Sequence, residues 1–301
     1  MKRSPIVPLM LLLTLLLAAC GGAPAAQPPA ATDAPPAAET TAPTDAPPAT
    51  EPTATPAPVV EMTLNVFAAA SLTDAFKALA PGFEAAHPGV TVVYNFAGSQ
   101  QLATQLGEGA PADVFASANR KQMDAAIASA RVTGGSEQTF VRNQLVVITP
   151  GNNPADITTL QDLTKPGLKL ILADKAVPVG QYALDFLAKA SALPEYTETY
   201  SSTVLSNVVS YENNVRVVLT KVSLGEGDAG IVYTTDAALE SDKLKLIAIP
   251  EEINTIATYP IAPVADSAAP ELAQAFVDYV LSPEGQQMLA QYGFIPVTSS
   301  N

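Results

Sequence analysis

Cysteine, histidine and tryptophan are almost missing from this 301-residue chain, which has one cysteine (Cys20), one histidine (His87) and no tryptophan. A lone cysteine excludes an internal disulfide, and one histidine cannot build an ordinary zinc site. A serine–histidine hydrolase would have to use His87, which stands before Pro88 at a predicted helix end, the place of a solvated terminal residue. No Gly-x-Ser-x-Gly motif is present either. Basic residues are scarce: 15 Lys and Arg against 29 Asp and Glu give a net charge of −14, the wrong sign for a nucleic-acid partner. Asp33 and Asp45 lie far forward, and Asp113, Asp174, Asp228 and Asp236 are not grouped as cation ligands would be. Beyond the first 20 residues no apolar run is long enough to span a bilayer.

What is present begins with a basic Met1-Lys2-Arg3 and an apolar stretch over 8–19, the pattern of a secretion signal covering residues 1–20. Its end, Leu17-Ala18-Ala19-Cys20, resembles the lipobox of bacterial lipoproteins, which implies lipidation of Cys20 as the mature first residue. Residues 21–58 are Ala, Pro and Thr with a few acids, without Val, Ile, Leu or an aromatic residue. Such a segment cannot bury a core, so a disordered tether is expected there. Loss of residues 1–20 takes the charge from −14 to −16, because Lys2 and Arg3 go with them. An anionic ligand would then have to be held by local dipoles, since bulk attraction is of the wrong sign.

From Met62 onward strands alternate with helices. The run 63–67 reads as a strand, and Leu72, Ala75, Phe76 and Leu79 recur at helical spacing over 72–86, which puts Ser71 at an expected N-cap. The pattern repeats: a strand over 90–96 delivers Gly98 and Ser99 to a second helix start. Two serines at helix starts after neighbouring strands can converge on one ligand in front of the free N–H groups. Asn143 to Thr149 reads as one uniform strand. Pro178-Val179-Gly180 and Asn213-Asn214-Val215 open further helices, with the N–H groups of Val179 and Val215 free in the first turn. Strand and helix signals are mixed from Thr199 to Ser210. Arg216, one step on from Val215, is expected to turn away and pair with acidic neighbours. Tyr233 ends an apolar strand and has one hydroxyl to donate.

Ala68-Ala69-Ala70-Ser71-Leu72, Gly98-Ser99 and Gly109-Ala110-Pro111-Ala112-Asp113-Val114-Phe115 together resemble the molybdate-binding proteins of bacterial ABC transporters. The likeness continues in order through Asn143-Gln144-Leu145, Val177-Pro178-Val179-Gly180, Asn213-Asn214-Val215-Arg216, Gly230-Ile231-Val232-Tyr233 and Tyr259-Pro260-Ile261-Ala262 to Tyr292-Gly293-Phe294. It implies an α/β, two-lobe periplasmic-binding-protein fold of type II, each lobe a mixed sheet flanked by helices, joined by two hinge crossovers. Lobe 1 would be 59–143 plus 258–301 and lobe 2 would be 144–257. The resemblance also implies that Ser71, Ser99, Val179, Val215 and Tyr233 hold a molybdate or tungstate oxyanion, without cation ligands, cofactor or enzymatic turnover. Implied partners are an ABC permease and, through Cys20, a membrane, for a monomer outside the cytoplasm. A sulfate receptor is one alternative; a small-organic-anion receptor would need Arg216 or Lys175 turned inward, and a hydrolase would use Ser71 as nucleophile.

Overall fold

In the computed structural model, which describes residues 61–297, the chain crosses twice between two mixed sheets. The expected signal peptide, Cys20 and the tether lie outside the described residues. The first segment runs β1 (Met62–Ala69), α1 (Thr73–Ala86), β2 (Val90–Ala97), α2 (Ser99–Gly107), β3 (Val114–Ala116), α3 (Arg120–Ala128) and β4 (Gln138–Asn143). The second runs β5 (Leu145–Pro150), β6 (Leu170–Ala173), α4 (Pro178–Ser191), α5 (Tyr200–Ser206), β7 (Val208–Glu212), α6 (Val215–Ser223), β8 (Ala229–Tyr233), α7 (Thr234–Leu239) and β9 (Leu244–Ala248). The chain then returns through β10 (Ala257–Pro263), α8 (Pro270–Leu281), α9 (Pro283–Gln291) and β11 (Ile295–Pro296).

Sheet 1 has the order β11-β4-β10-β3-β1-β2 and sheet 2 the order β7-β6-β8-β5-β9. Membership changes at Gln144, between β4 and β5, and again between Ala248 and Ala257; Ala257 already pairs with Asn143 in sheet 1. In each sheet one strand sits between two parallel neighbours: β1 between β2 and β3, and β6 between β7 and β8. The connections leaving β1 and β3 run to opposite sides of sheet 1, as those leaving β6 and β8 do in sheet 2, and a crevice opens between such a pair at the C-terminal ends. Both lobes therefore offer helix starts at the same kind of place.

The pattern of the sequence explains the packing. Leu64, Val66 and Ala68 alternate onto one face of β1, and Ala75, Phe76, Leu79 and Phe83 form a buried stripe on α1. Phe76 meets Phe140 of β4 at 5.9 Å and Phe276 of α8 at 6.1 Å between ring centroids, so the returning segment closes the first lobe. Burial of each such ring is worth about 1.5–3 kcal/mol. A second, smaller cluster around Phe67, Phe115 and Met123 fills the opposite face of sheet 1.

Several local expectations are corrected. Ser71 is not an N-cap: it lies inside a single 3-10 turn, Ala70–Leu72, with Leu72 preceding α1. Ser99 is the first residue of α2, and Gly98 occupies the cap position. The Ser71 hydroxyl pairs instead with Tyr259, and the Ser99 hydroxyl accepts the Ala118 N–H. The uniform strand over 143–149 is a junction, since Asn143 ends β4 in one sheet and Leu145 begins β5 in the other. The mixed signals over 199–210 resolve into α5 and β7.

Candidate ligand-binding site

The helix starts of the two lobes face one another across a small cavity. Ser71, Ser99, Val179, Val215 and Tyr233 all line it, together with Gly98 and Asn214, and no charged side chain does. Ser71 comes from the 3-10 turn after β1 and Ser99 from the start of α2, Val179 and Val215 from the first turns of α4 and α6, and Tyr233 from the last position of β8.

The three hydroxyls differ in their partners. Ser99 Oγ accepts the backbone N–H of Ala118 at 3.0 Å, an obligate donor, so the serine's own hydrogen is left for the cavity. Ser71 Oγ lies 3.0 Å from the Tyr259 hydroxyl. The Tyr233 hydroxyl is buried and has no hydrogen-bond partner among the described residues, and burial holds its pKa well above the usual value, so it stays a neutral donor. An orphaned buried hydroxyl aimed at a cavity is costly without a ligand and useful with one.

The remaining donors are backbone. Val177 caps α4 without a side-chain hydrogen bond, and Pro178 is its first residue, which leaves the Val179 N–H among the unpaired first-turn groups. Asn214 caps α6 and accepts from Val217 N–H at 3.1 Å, so Val215 N–H stays outside the capping bond. Three helix N-termini, α2, α4 and α6, thus end at the cavity, and each favours negative charge there.

The lobes touch around this cavity. Arg216 of α6 pairs with Asp74 of α1 at 2.7 Å and with Asp236 of α7 at 2.6 Å, and its guanidinium donates to the Ser71 carbonyl at 3.4 Å. Burial pushes the Asp236 carboxyl up to about 6 despite the pull of Arg216. Gln100 Nε2 donates to Asn213 O at 2.8 Å and Gln122 Nε2 to Ala176 O at 3.0 Å, two further ties between lobes. Gly98 makes this approach possible, since a methyl group there would collide with the Asn213 carbonyl of the facing lobe.

Groups with other chemistry lie elsewhere. His87 stacks on Phe83 at 4.1 Å beyond α1, with Nδ1 2.9 Å from Phe83 O, so no imidazole stands beside Ser71. Lys175 faces a different surface pocket. Arg216 takes the structural part expected of it. Among the described residues no group of His, Cys, Asp or Glu could hold a metal ion. Tyr259 and Asn143, which belong to the motifs of the family likeness, stand behind Ser71, and a Tyr-Pro beside a lobe crossover is their mark in the sequence.

Two α/β lobes on a double crossover, with neutral donors gathered where they meet, define a two-lobed binding protein. The model of the bacterial extracellular solute-binding protein family matches residues 64–295. A molybdate-binding protein ModA of Mycobacterium tuberculosis is 39% identical over 232 residues, 77% of this chain and 84% of its own length. That of Escherichia coli is 34% identical over 240 residues, 78% of this chain and 89% of its own. Among solved structures, the substrate-binding domain of a putative molybdenum ABC transporter from Clostridium difficile superposes with a TM-score of 0.59 at 27% identity, covering 78% of this chain and 99% of that one. The chain belongs to the bacterial extracellular solute-binding protein family, as a homologue of the ModA proteins.

Proposed function

We propose that this protein captures molybdate or tungstate outside the cytoplasm and delivers it to an ABC permease, without turnover of its own. The observation that carries this is the donor set: three hydroxyls and two helix-start N–H groups line one small cavity with no charged side chain. A fully deprotonated tetrahedral dianion only accepts hydrogen bonds, and charge-assisted bonds are roughly twice as strong as neutral ones. Hydrogen phosphate carries a proton that needs an acceptor, and no carboxylate lines the cavity. An organic-anion receptor is disfavoured because Arg216 is engaged by Asp74 and Asp236 and Lys175 faces away. The names of the ModA relatives support the same ligand.

The five ligand-holding residues are Ser71, Ser99, Val179, Val215 and Tyr233. The two lobes close on the anion as the ties through Arg216, Gln100 and Gln122 form, and the permease reads the closed form. The protein works as a monomer held to the membrane by a lipid on Cys20.

Isothermal titration of the purified protein with molybdate, tungstate, sulfate and phosphate tests this reading. Heat and a raised melting temperature with the first two support it; no response to either sinks it. Replacement of Cys20 by Ala is expected to release the protein from the membrane fraction, and retention there would contradict the anchor.

A further inference from the structure

We infer that Tyr259 is a positioning residue that fixes Ser71 as a hydrogen-bond donor to the ligand, at the end of a relay running from Asn143. This rests on the reading of Ser71 as a ligand-holding group.

A serine hydroxyl is ambivalent, able to give one hydrogen or to accept. Ser99 is made a donor by the Ala118 N–H, which occupies its acceptor side. Ser71 has no such backbone neighbour; its partner is the fully buried Tyr259 hydroxyl at 3.0 Å, across 188 residues of sequence. The direction of that bond follows from Asn143, which is also fully buried. Its Oδ1 accepts the Gln144 backbone N–H at 2.9 Å and the Thr234 hydroxyl at 3.1 Å. Because a backbone N–H can only donate, the oxygen must face Gln144 and the amide Nδ2 must face the other way.

That places Nδ2 against Thr235 Oγ1 at 2.8 Å and the Tyr259 hydroxyl at 3.5 Å. Tyr259 therefore receives from Asn143 on one of its two lone pairs, and Ser71 Oγ at 3.0 Å is the hydroxyl placed to take its own proton in this relay. With a Ser71 lone pair so taken, the Ser71 hydrogen is directed to the cavity. Chains of this kind polarise one another, so the last hydroxyl is also a better donor than a free one. The Tyr259 ring is held for the task by Phe140, Tyr233 and Phe294, with centroids at 6.4, 5.8 and 5.6 Å.

The test is a double-mutant cycle on the whole protein, with molybdate as probe and sulfate as a second probe. Tyr259→Phe keeps the ring and its packing, which a thermal melt checks. It is expected to weaken binding about three- to tenfold, the worth of one neutral hydrogen bond. Ser71→Ala is expected to weaken it about ten- to a hundredfold. In the Ser71→Ala background, Tyr259→Phe should change the affinity by less than about twofold, because the group it acts through is gone. Factors that multiply in the double variant, or a Tyr259→Phe protein that binds like the wild type while Ser71→Ala does not, overturn the relay. A Ser71→Ala protein with unchanged affinity overturns the ligand reading itself, and a wild type that binds neither anion overturns both.

Discussion

The two lobes bring different currencies of hydrogen bonding to the same cavity. Lobe 1 supplies side-chain hydroxyls: Ser99, whose acceptor side is filled by the Ala118 N–H, and Ser71, which pairs with the Tyr259 hydroxyl. Lobe 2 supplies main-chain N–H groups at Val179 and Val215, and one hydroxyl, Tyr233, that has no partner of its own. The difference separates what mutation can reach from what it cannot. A hydroxyl can be deleted without moving the chain, whereas a backbone donor persists through any substitution that keeps its helix start in place.

The largest expected effect breaks the lobe 1 half outright. Ser71→Ala with Ser99→Ala should raise the dissociation constant for molybdate roughly 100- to 10,000-fold, from about 1.5–3 kcal/mol for each charge-assisted bond, with a lower melting temperature of the unliganded protein because the Ala118 N–H and the Tyr259 hydroxyl lose their partners. Next comes the tie between lobes. Arg216→Met leaves Asp236 buried without a counter-charge and should cost about 3–5 kcal/mol of stability, read from denaturant unfolding. Tyr233→Phe separates the two roles of an orphan hydroxyl: molybdate binding should weaken about tenfold, while the unliganded protein becomes more stable because the unsatisfied group is gone.

A smaller effect concerns pH. The Asp236 carboxyl titrates near 6 in the folded protein, above its ordinary value of 3.8, so folding takes up a proton between about pH 4 and 6. This group's contribution therefore falls as pH rises through that window. Melting curves of wild type and Asp236→Asn should show the wild type gaining relative stability from pH 6 down to 4, and parallel curves would refute the assignment. The smallest effect sharpens the comparison most. Val179→Ala and Val215→Ala should each cost about 1–3 kcal/mol of stability through lost burial, yet change molybdate affinity by less than about threefold.

The same contrast explains what could be read from the chain. Strand-to-helix transitions at Ser71, Ser99, Pro178 and Asn214 follow from apolar periodicity and start signals, and they lead to the cavity. Local preference misjudged the job of both serines, because Ser71 turns to Tyr259, 188 positions away, and Ser99 to Ala118. Helix capping is a property of neighbouring residues, but hydroxyl orientation is a property of the fold. The lobe boundary expected at 143/144 came from the family likeness and has no local mark: Gln144 alone separates β4 from β5, and their pairing partners put them in different sheets. Val179 and Val215 carry no chemical mark of their own, so only the family likeness singled them out.

The central claim is that donors from both lobes converge on one anion. A crystal structure of the protein with tungstate, the metal placed by its anomalous signal, tests it directly. The account predicts one peak between the lobes, with oxyanion oxygens at about 2.7–3.2 Å from Ser71 Oγ, Ser99 Oγ, Val179 N, Val215 N and the Tyr233 hydroxyl. A peak held instead by Arg216 or Lys175, or none in this cavity, would contradict it.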